Sequence, residues 1–249
     1  MESYEIELIQ RTKKKFSVGN LKTFKRKGIK AFLICSTGTD HFPVKEALDM
    51  GFIVSNVYYG SEYAVAPHGF RMLDDLNNLI SEKNGLLEYP KQEAIIIGSA
   101  GRVGKRMVKI CKGYGMKVYG YDIKKKFSTR ENLIKKMVSA KFMFLCCDLN
   151  NSTKDYFSDK EFNLMENFPI IINVVGRIDL IPLKKIKKYL NSGTLGGYCC
   201  DELTKGTLRY SLQCVFTNHV GWKTNSCIIR RTEAEARAFN NLLRIEGKP

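Results

Sequence analysis

The stretch Ala94-Ile95-Ile96-Ile97-Gly98-Ser99-Ala100-Gly101-Arg102-Val103-Gly104 decides the fold, because it predicts an apolar strand that runs into a glycine-rich turn and then into a helix. A helix that begins at such a turn directs its free N–H groups and the positive end of its dipole at whatever lies there, and a pyrophosphate fits that field. Glycine also lets phosphates approach the backbone closely. The stretch therefore predicts a dinucleotide-binding site.

The glycine spacing identifies the residues expected to hold this dinucleotide. In the usual G-x-G-x-x-G pattern, the second and third glycines fall on Gly101 and Gly104, and the first falls on Ser99, with Gly98 just before it. We therefore predict cofactor contacts from Ser99, Gly101, Arg102, Val103 and Gly104.

An acidic residue closes the next strand and indicates which dinucleotide binds. Asp122 follows an apolar run from Met116 to Tyr121. A carboxylate there can accept both ribose hydroxyls of NAD and would repel a 2′-phosphate. NAD(H) is the predicted cofactor, although Lys124-Lys125-Lys126 could bind a 2′-phosphate if the loop folded back, so NADP stays an alternative.

Composition predicts a globular protein without membrane spans or disulfides. The chain has 249 residues, of which 44% are hydrophobic, and no segment reaches the roughly 18 apolar residues that a span needs. The N-terminus shows no leader pattern, which favours a cytoplasmic location. The eight cysteines lie largely at the ends of apolar runs and form no C-x-x-C pair, so we expect reduced core residues and no metal site.

The formal net charge of +16 raises the question of a polyanionic partner. The basic residues are spread along the chain in predicted loops and on polar helix faces, without interleaved aromatic residues or a nucleic-acid-binding motif. Solvated lysine faces are the favoured interpretation, and nucleic acid is not a predicted partner. Incidental binding to polyanions at low salt is expected.

Strand and helix patterns alternate from residue 94 onward, which is typical of an α/β fold with a Rossmann-like, doubly wound parallel sheet. Ligands of such sheets lie at the carboxyl ends of the strands. The predicted strands are 93–98, 117–122, 141–147, 170–175, 196–201 and 214–217, and the predicted helices are 102–114, 129–138 and 182–191.

The segments before residue 94 are too few for a second domain of ordinary size. They comprise predicted strands at 4–9, 30–35 and 52–56 and a helix at 61–81. A final helix, from about 224 to 244, carries an apolar face that must be covered. We predict a truncated substrate-binding domain at 1–58, a dinucleotide-binding domain at 59–222, and a C-terminal helix at 223–249 that packs back on the first domain.

Several blocks in order resemble the D-isomer-specific 2-hydroxyacid dehydrogenases, and the resemblance covers residues 6–243. The blocks are Ser36–Asp40, Gly60–His68, the glycine-rich turn Gly98–Gly104 (the nucleotide turn), Asn173–Arg177, Asn191–Asp201 and Thr217–Gly221. The chain is identified as a divergent, N-terminally shortened member of this family. The resemblance implies that the first domain is a truncated flavodoxin-like substrate domain.

The resemblance also implies roles for individual residues. Arg177 matches the arginine that holds the substrate carboxylate and polarises the 2-carbonyl, and a guanidinium binds planar carboxylates bidentately. His219 matches the general acid/base that exchanges a proton with the carbonyl oxygen. Asp201 matches the residue that contacts the nicotinamide carboxamide, and the Gly38 N–H would bind part of the substrate carboxylate.

The chain departs from the family in two ways that bear on activity. The family's glutamate partner of the histidine, about five residues beyond Asp201, falls on Gly206, and strand alternation directs Glu202 away. Without a carboxylate the imidazolium is less favoured, which predicts a lower pH optimum for reduction or lost turnover. In addition, a short segment at 79–92 replaces the family's longer dimer arm, so we expect either no dimer or a homodimer with a reduced or altered interface.

The leading hypothesis is an NAD(H)-dependent oxidoreductase that interconverts a 2-keto acid and a D-2-hydroxy acid by hydride transfer. One alternative is a catalytically silent NAD(H)-binding regulatory or interaction protein, which the missing glutamate favours. The other is a reductase of a larger biosynthetic intermediate, which the shortened substrate side would suit. The sequence does not identify the substrate, the direction of the reaction or the oligomeric state.

Overall fold

The computed structural model describes residues 5–9, 16–36, 38–39, 41–124, 128–202, 210–211 and 213–246. The chain divides into two compact units, one formed by residues 1–60 with 225–249 and the other by residues 61–224. In chain order the elements are β1 (Glu5–Ile9), α1 (Val18–Arg26), β2 (Ile29–Ile34), α2 (Val44–Asp49), β3 (Ile53–Asn56), α3 (Glu62–Asn84), β4 (Glu93–Ile97), α4 (Arg102–Gly113), β5 (Lys117–Tyr121), α5 (Arg130–Met137), β6 (Phe142–Leu145), α6 (Asp159–Phe162), β7 (Ile170–Asn173), a 3₁₀ turn (Ile178–Leu180), α7 (Leu183–Asn191), β8 (Gly197–Cys200), β9 (Tyr210–Ser211), β10 (Cys214–Phe216) and α8 (Asn225–Glu246).

The first unit is a three-stranded parallel sheet in the order β1-β2-β3. One face of β2 presents Phe32, which is fully buried among the rings of four other phenylalanines, Phe16, Phe24, Phe42 and Phe52. The other face presents Ala31 and Leu33, against which Ala234 and Leu242 of α8 pack. Both faces of this small sheet are therefore covered by apolar side chains.

The second unit is a seven-stranded sheet in the order β5-β4-β6-β7-β8-β10-β9, in which only the β10–β9 pair is antiparallel. The central strands β6, β7 and β8 are buried at every position. Such continuous apolar runs are typical of parallel strands with helices on both faces. α4 buries Gly104, Met107 and Cys111, which recur with helical spacing on one side.

The structure confirms the α/β class, the parallel sheet and the predicted strands and helices of the second unit, with boundaries that differ by one to three residues. Four of the α-helices and β-strands were not predicted, namely α1, α2, α6 and β9. All four are short, and α2, α6 and β9 have six residues or fewer. A six-residue helix completes fewer than two turns, so it shows no apolar period that a sequence window can detect.

Candidate functional site

The glycine-rich turn after β4 has no room for a side chain at Gly98 or at Gly104. Gly98 has φ +83°, and a Cβ there would lie 2.8 Å from the backbone of Cys146, which follows β6. A Cβ at Gly104 would lie 2.1 Å from the carbonyl oxygen of Gly98. Gly101 precedes α4, where the Lys105 N–H donates to its carbonyl. The turn thus brings the start of α4 directly over the end of β4.

The start of α4 fits an anionic ligand. The N-cap residue of α4 is Gly101, which has no side chain that could cap the helix. The first turn of α4, which includes Arg102 and Val103, carries no acidic residue. The Ser99 hydroxyl is buried and has no hydrogen-bond partner among the residues that the structure describes. A buried hydroxyl beside a helix N-terminus suits a phosphate oxygen, because each such group needs a partner. These features fit the pyrophosphate of a dinucleotide.

Asp122 ties the end of β5 to this turn. One carboxylate oxygen accepts from the Ala100 N–H at 2.9 Å, and the other accepts from the Lys124 N–H at 2.9 Å. Its own N–H donates to the Ser128 hydroxyl. Each carboxylate oxygen has a further lone pair, so the group can also accept from ribose hydroxyls. Lys125 and Lys126 lie outside the described residues.

A second cluster lies at the carboxyl ends of β7, β8 and β10, which are neighbours in the sheet. The Asp201 carbonyl oxygen lies 3.1 Å from His219 Nδ1, and because a carbonyl can only accept, this nitrogen donates the hydrogen bond. Gly176 has φ +60°, and a Cβ there would lie 2.4 Å from the same carbonyl and 2.6 Å from His219 Nδ1. The backbone that follows β7 thus packs directly on the imidazole at Gly176.

Arg177 follows Gly176 and is half-buried. Its Nη1 donates to the Gly176 carbonyl, and its own carbonyl accepts from the Asn173 side-chain amide at 2.8 Å. The next residue, Ile178, donates its N–H to the Glu202 carboxylate at 2.7 Å. Glu202 therefore braces the 3₁₀ turn after Arg177. Gly206, where the family's glutamate would fall, lies outside the described residues.

The Asp201 carboxylate holds the turn that carries His219. Its oxygens accept from the N–H groups of Val220 and Gly221 at 2.9 and 2.8 Å and from the Thr217 hydroxyl at 2.6 Å. Burial alone would raise the pKa of Asp201, but the hydrogen bonds from His68, Thr217 and Gly221 outweigh burial and lower it. The carboxylate is therefore ionised at neutral pH, and we expect it to stabilise the turn besides any contact with a cofactor.

Three residues of this cluster escaped the sequence analysis as contributors. Gly176 and Thr217 lay within the matched blocks without an assigned role, and His68 of α3 lies 149 residues before Thr217, to which it hydrogen-bonds. For Gly176, a glycine directly after an apolar run was the available signal. For His68, no local pattern indicates a partner so distant in sequence.

Gly38 belongs to the first unit. Its carbonyl accepts from the Ser36 hydroxyl at 2.8 Å, which forms a tight turn after β2. The structure thus places it in a loop at the carboxyl end of a parallel strand, the edge at which ligands of such sheets bind.

The cysteines are free thiols, and six of the eight are buried. Burial raises the pKa of Cys111, Cys147 and Cys200 to about 12. Among the residues that the structure describes, no group of three or more histidine, cysteine or acidic side chains could hold a metal ion. Within the same residues, every helix is too short or too polar to cross a membrane.

Comparison with known proteins identifies the relatives of this chain. Residues 77–221 match the family model described as D-isomer specific 2-hydroxyacid dehydrogenase, NAD binding domain. The chain is 28% identical over 211 residues to 2-hydroxyacid dehydrogenase A of Aspergillus oryzae, which covers 77% of the chain and 60% of that relative. It spans between 55 and 63% of the length of the first three curated relatives.

Two solved structures have the same fold. The structure of D-lactate dehydrogenase from Aquifex aeolicus with NAD and lactic acid gives a TM-score of 0.84 at 18% identity, covering 96% of this chain and 83% of that one. The structure of an acyclic imino acid reductase (Bsp5) with NADPH and D-Arg gives 0.82 at 20% identity, with the same coverage. Because the family model matches more than half of the residues, this chain carries the NAD-binding domain of the D-isomer specific 2-hydroxyacid dehydrogenases and belongs to that family.

Proposed function

We propose that this protein is an NAD(H)-dependent oxidoreductase that interconverts a 2-keto acid and a D-2-hydroxy acid. The observation that carries the proposal is the orientation of His219. Its Nδ1 faces the Asp201 carbonyl at 3.1 Å at the carboxyl ends of β7, β8 and β10, within the same unit as the nucleotide turn. An imidazole whose Nδ1 bonds to a carbonyl presents Nε2 as its reactive atom.

The proposed reaction assigns a separate task to each of these groups. The turn at Gly98–Gly104 and the start of α4 bind the pyrophosphate, while Asp122 accepts ribose hydroxyls. When bound, NADH supplies the hydride that reduces the keto carbon. Protonated His219 delivers the Nε2 proton to the carbonyl oxygen, and neutral His219 removes that proton in the reverse direction.

Arg177 is assigned the substrate carboxylate. A guanidinium has five N–H donors in a fork, so Arg177 can bind a carboxylate in two places while its Nη1 bond to Gly176 persists. We propose Gly38 separately as a substrate-binding residue that acts through its backbone N–H, as the family resemblance implies. Asp201 is proposed to contact the nicotinamide carboxamide in addition to the turn it holds.

The test is NADH oxidation with a panel of 2-keto acids of increasing length, at mildly acidic and neutral pH. We expect turnover with at least one acid, a loss of about 100-fold or more in His219→Gln, since general acid catalysis contributes about 10²–10⁴-fold, and a comparable loss in Arg177→Ala. Arg237→Ala is the matched control, because Arg237 is exposed and pairs with Glu233 one helical turn away.

The same experiment separates the two alternative functions. NADH binding without turnover of any acid would overturn the proposal and support a silent NAD(H)-binding protein. Turnover confined to large or carrier-bound keto acids would instead support a reductase of a biosynthetic intermediate.

We also propose that the protein acts in the cytoplasm on a small molecule, as a homodimer with a reduced or altered interface if it self-associates at all. The support for a reduced interface is the short connection between α3 and β4, which consists of residues 85–92 and leaves no room for a long dimer arm. Sedimentation equilibrium over a range of protein concentrations tests this, and a concentration-independent dimer would contradict a weakened interface.

A further inference from the structure

His68 of α3 is buried beneath the turn that carries His219, and neither the family resemblance nor the proposed reaction gives it a role. Its Nε2 lies 3.0 Å from the Thr217 hydroxyl and 3.4 Å from an oxygen of the Asp201 carboxylate. The residue is only 6% exposed. A polar ring at this depth is placed by its partners, because an unpaired buried polar group is costly.

The direction of these hydrogen bonds follows from proton counting. The Thr217 hydroxyl has one proton, and the Asp201 carboxylate can only accept. At 2.6 Å the hydroxyl donates to Asp201, so the Thr217 oxygen must accept from His68 Nε2. His68 therefore carries a proton on Nε2, whether its ring is neutral or charged.

The turn at 217–221 needs this support, because its backbone is held in an unfavourable conformation. His219 has φ +51°, in the left-handed region, which typically costs about 1–3 kcal/mol for a residue with a side chain. The turn is also tightly seated, since a Cβ at Gly221 would lie 2.8 Å from Asp201 Oδ2 and 2.9 Å from His68 Cδ2. Such a conformation persists only where its surroundings fix it from more than one side.

We propose that His68 is a positioning residue for His219. By donating Nε2–H to Thr217, and through Thr217 to Asp201, it fixes the carboxylate that binds the Val220 and Gly221 N–H groups. That carboxylate in turn keeps His219 Nδ1 on the Asp201 carbonyl. The two histidines consequently have opposite tautomers, with the proton on Nε2 in His68 and on Nδ1 in neutral His219. The inference rests on the proposed function only where turnover is measured.

The tautomers can be read from the whole protein without any assay of activity. The chain has three histidines, so a long-range ¹H–¹⁵N spectrum of ¹⁵N-histidine-labelled protein contains three ring patterns. His68→Gln and His219→Gln assign two of them, and the remaining pattern is His41. At about pH 8, where an ordinary imidazole is neutral, we expect protonated Nε2 in His68 and protonated Nδ1 in His219. Protonated Nε2 in neutral His219 would overturn the proposal.

Substitution then tests whether His68 acts through the turn. His68→Leu lacks a donor, and we expect the His219 tautomer to become mixed and kcat to fall at least tenfold. His68→Gln offers an amide N–H donor and should restore most of both signals. An unchanged His219 pattern in His68→Leu, or no rescue by His68→Gln, would contradict the proposal.

A second pair of variants keeps the test informative if His68→Leu does not fold. Thr217→Val keeps the shape and removes the hydroxyl, whereas Thr217→Ser keeps the hydroxyl and removes only a methyl group. We expect Val, but not Ser, to reproduce the mixed tautomer, and equal patterns in both would exclude the proposed relay. If no variant and no wild-type protein turns over a keto acid, the proposed function fails, yet the tautomer measurements still decide the role of His68.

Discussion

Gly104 shows how a single residue determines the packing of α4 against the turn after β4. Its Cβ position lies 2.1 Å from the Gly98 carbonyl oxygen, so Gly104→Ala must separate α4 from β4 or distort the turn. We expect this variant to weaken NADH binding at least tenfold, which fluorescence titration of NADH measures. Circular dichroism should show a folded protein, because the sheet itself is not altered.

Gly113 provides the matched control within the same helix. It is the last residue of α4, and a Cβ there would meet nothing within 4 Å. Gly113→Ala should bind NADH like the wild type and be equally stable or stabilised by up to about 1 kcal/mol. Equal NADH affinities in Gly104→Ala and Gly113→Ala would show that close backbone approach at Gly104 is not needed.

Asp201 predicts a specific dependence of stability on pH. Its pKa in the folded protein lies below the ordinary value of 3.8. A carboxyl group of this kind stabilises the fold above its unfolded pKa, and that contribution is lost as the pH falls through the lowered folded pKa. Thermal melts between pH 7 and pH 2.5 should therefore show a loss of stability below about pH 4 that is smaller in Asp201→Asn.

At neutral pH the Asp201→Asn variant should be less stable than the wild type by about 1–3 kcal/mol, because an amide cannot accept from all the donors that face the carboxylate. Asp179→Asn, at an exposed position in the 3₁₀ turn, is the control and should match the wild type. A wild-type melt that is flat from pH 5 to pH 2.5 would refute the role assigned to this carboxylate.

At the scale of single residues, sequence spacing predicted that Gly101, Gly104 and Asp122 lie around one turn, because they belong to one strand-turn-helix-strand unit. The need for glycine at position 98 comes from the backbone of Cys146 on another strand. The partner of Thr217 likewise comes from a distant helix. Contacts of this kind depend on which strands become neighbours, and a local pattern does not contain that information.

Among the elements of the first unit, β2 is the central strand of the sheet and carries Phe32. Phe32 has no exposed surface, and its ring lies 4.8–5.8 Å from the rings of Phe16, Phe24, Phe42 and Phe52. Large-to-small substitutions of buried aromatic residues cost about 3–5 kcal/mol. In a unit with only three strands, that cost is a large share of the total stability.

We expect Phe32→Ala to unfold the first unit at a lower urea concentration than the wild type, while the nucleotide turn of the second unit still binds NADH. Phe168→Ala is the control, because Phe168 is 58% exposed. Hydrogen exchange resolved by peptide distinguishes the two units. Loss of protection in β4–β6 equal to that in β1–β3 would show that the units do not unfold separately.

The buried strands could be predicted from the sequence because burial on both faces leaves an unbroken apolar run, as in Ile170–Asn173. α1 was not, although Ser17 and Asn20 form a reciprocal cap at its start. Asparagine replaces the usual glutamate or glutamine of such a cap, so the local signature was weak. The apolar residues of α1 are Val18, Leu21 and Phe24, of which Leu21 is buried, and nine residues give too short a stretch for a strong helical pattern.

For the molecule as a whole, the net charge of +16 affects the rate at which anionic ligands associate. Four cations of α4 lie on one exposed stripe that starts at the nucleotide turn, namely Arg102, Lys105, Lys109 and Lys112, and the helix contains no acidic residue. Positive potential near a site raises the association rate of an anion and is screened by salt.

We therefore expect the association rate of NADH to fall several-fold between about 0.05 and 0.5 M NaCl, where the Debye length shortens from more than 10 Å to about 4 Å. Stopped-flow fluorescence measures this rate. Lys105→Gln with Lys109→Gln should flatten the salt dependence, and Lys187→Gln on α7, exposed like them, should not. A rate independent of salt in the wild type would show that the charge serves another purpose.

The burial of the cysteines has a consequence for the environments that the protein can tolerate. Thiols react with peroxides and electrophiles as thiolates, and a pKa near 12 leaves only about one thiolate per 10⁵ molecules at pH 7. Cys111, Cys147 and Cys200 are therefore nearly inert to such reagents, and Cys147 is so even though it directly follows the Cys146 backbone that closes the nucleotide turn. Oxidative stress would thus alter the output of the proposed catalyst through the NADH/NAD⁺ ratio more than through these three sulfur atoms.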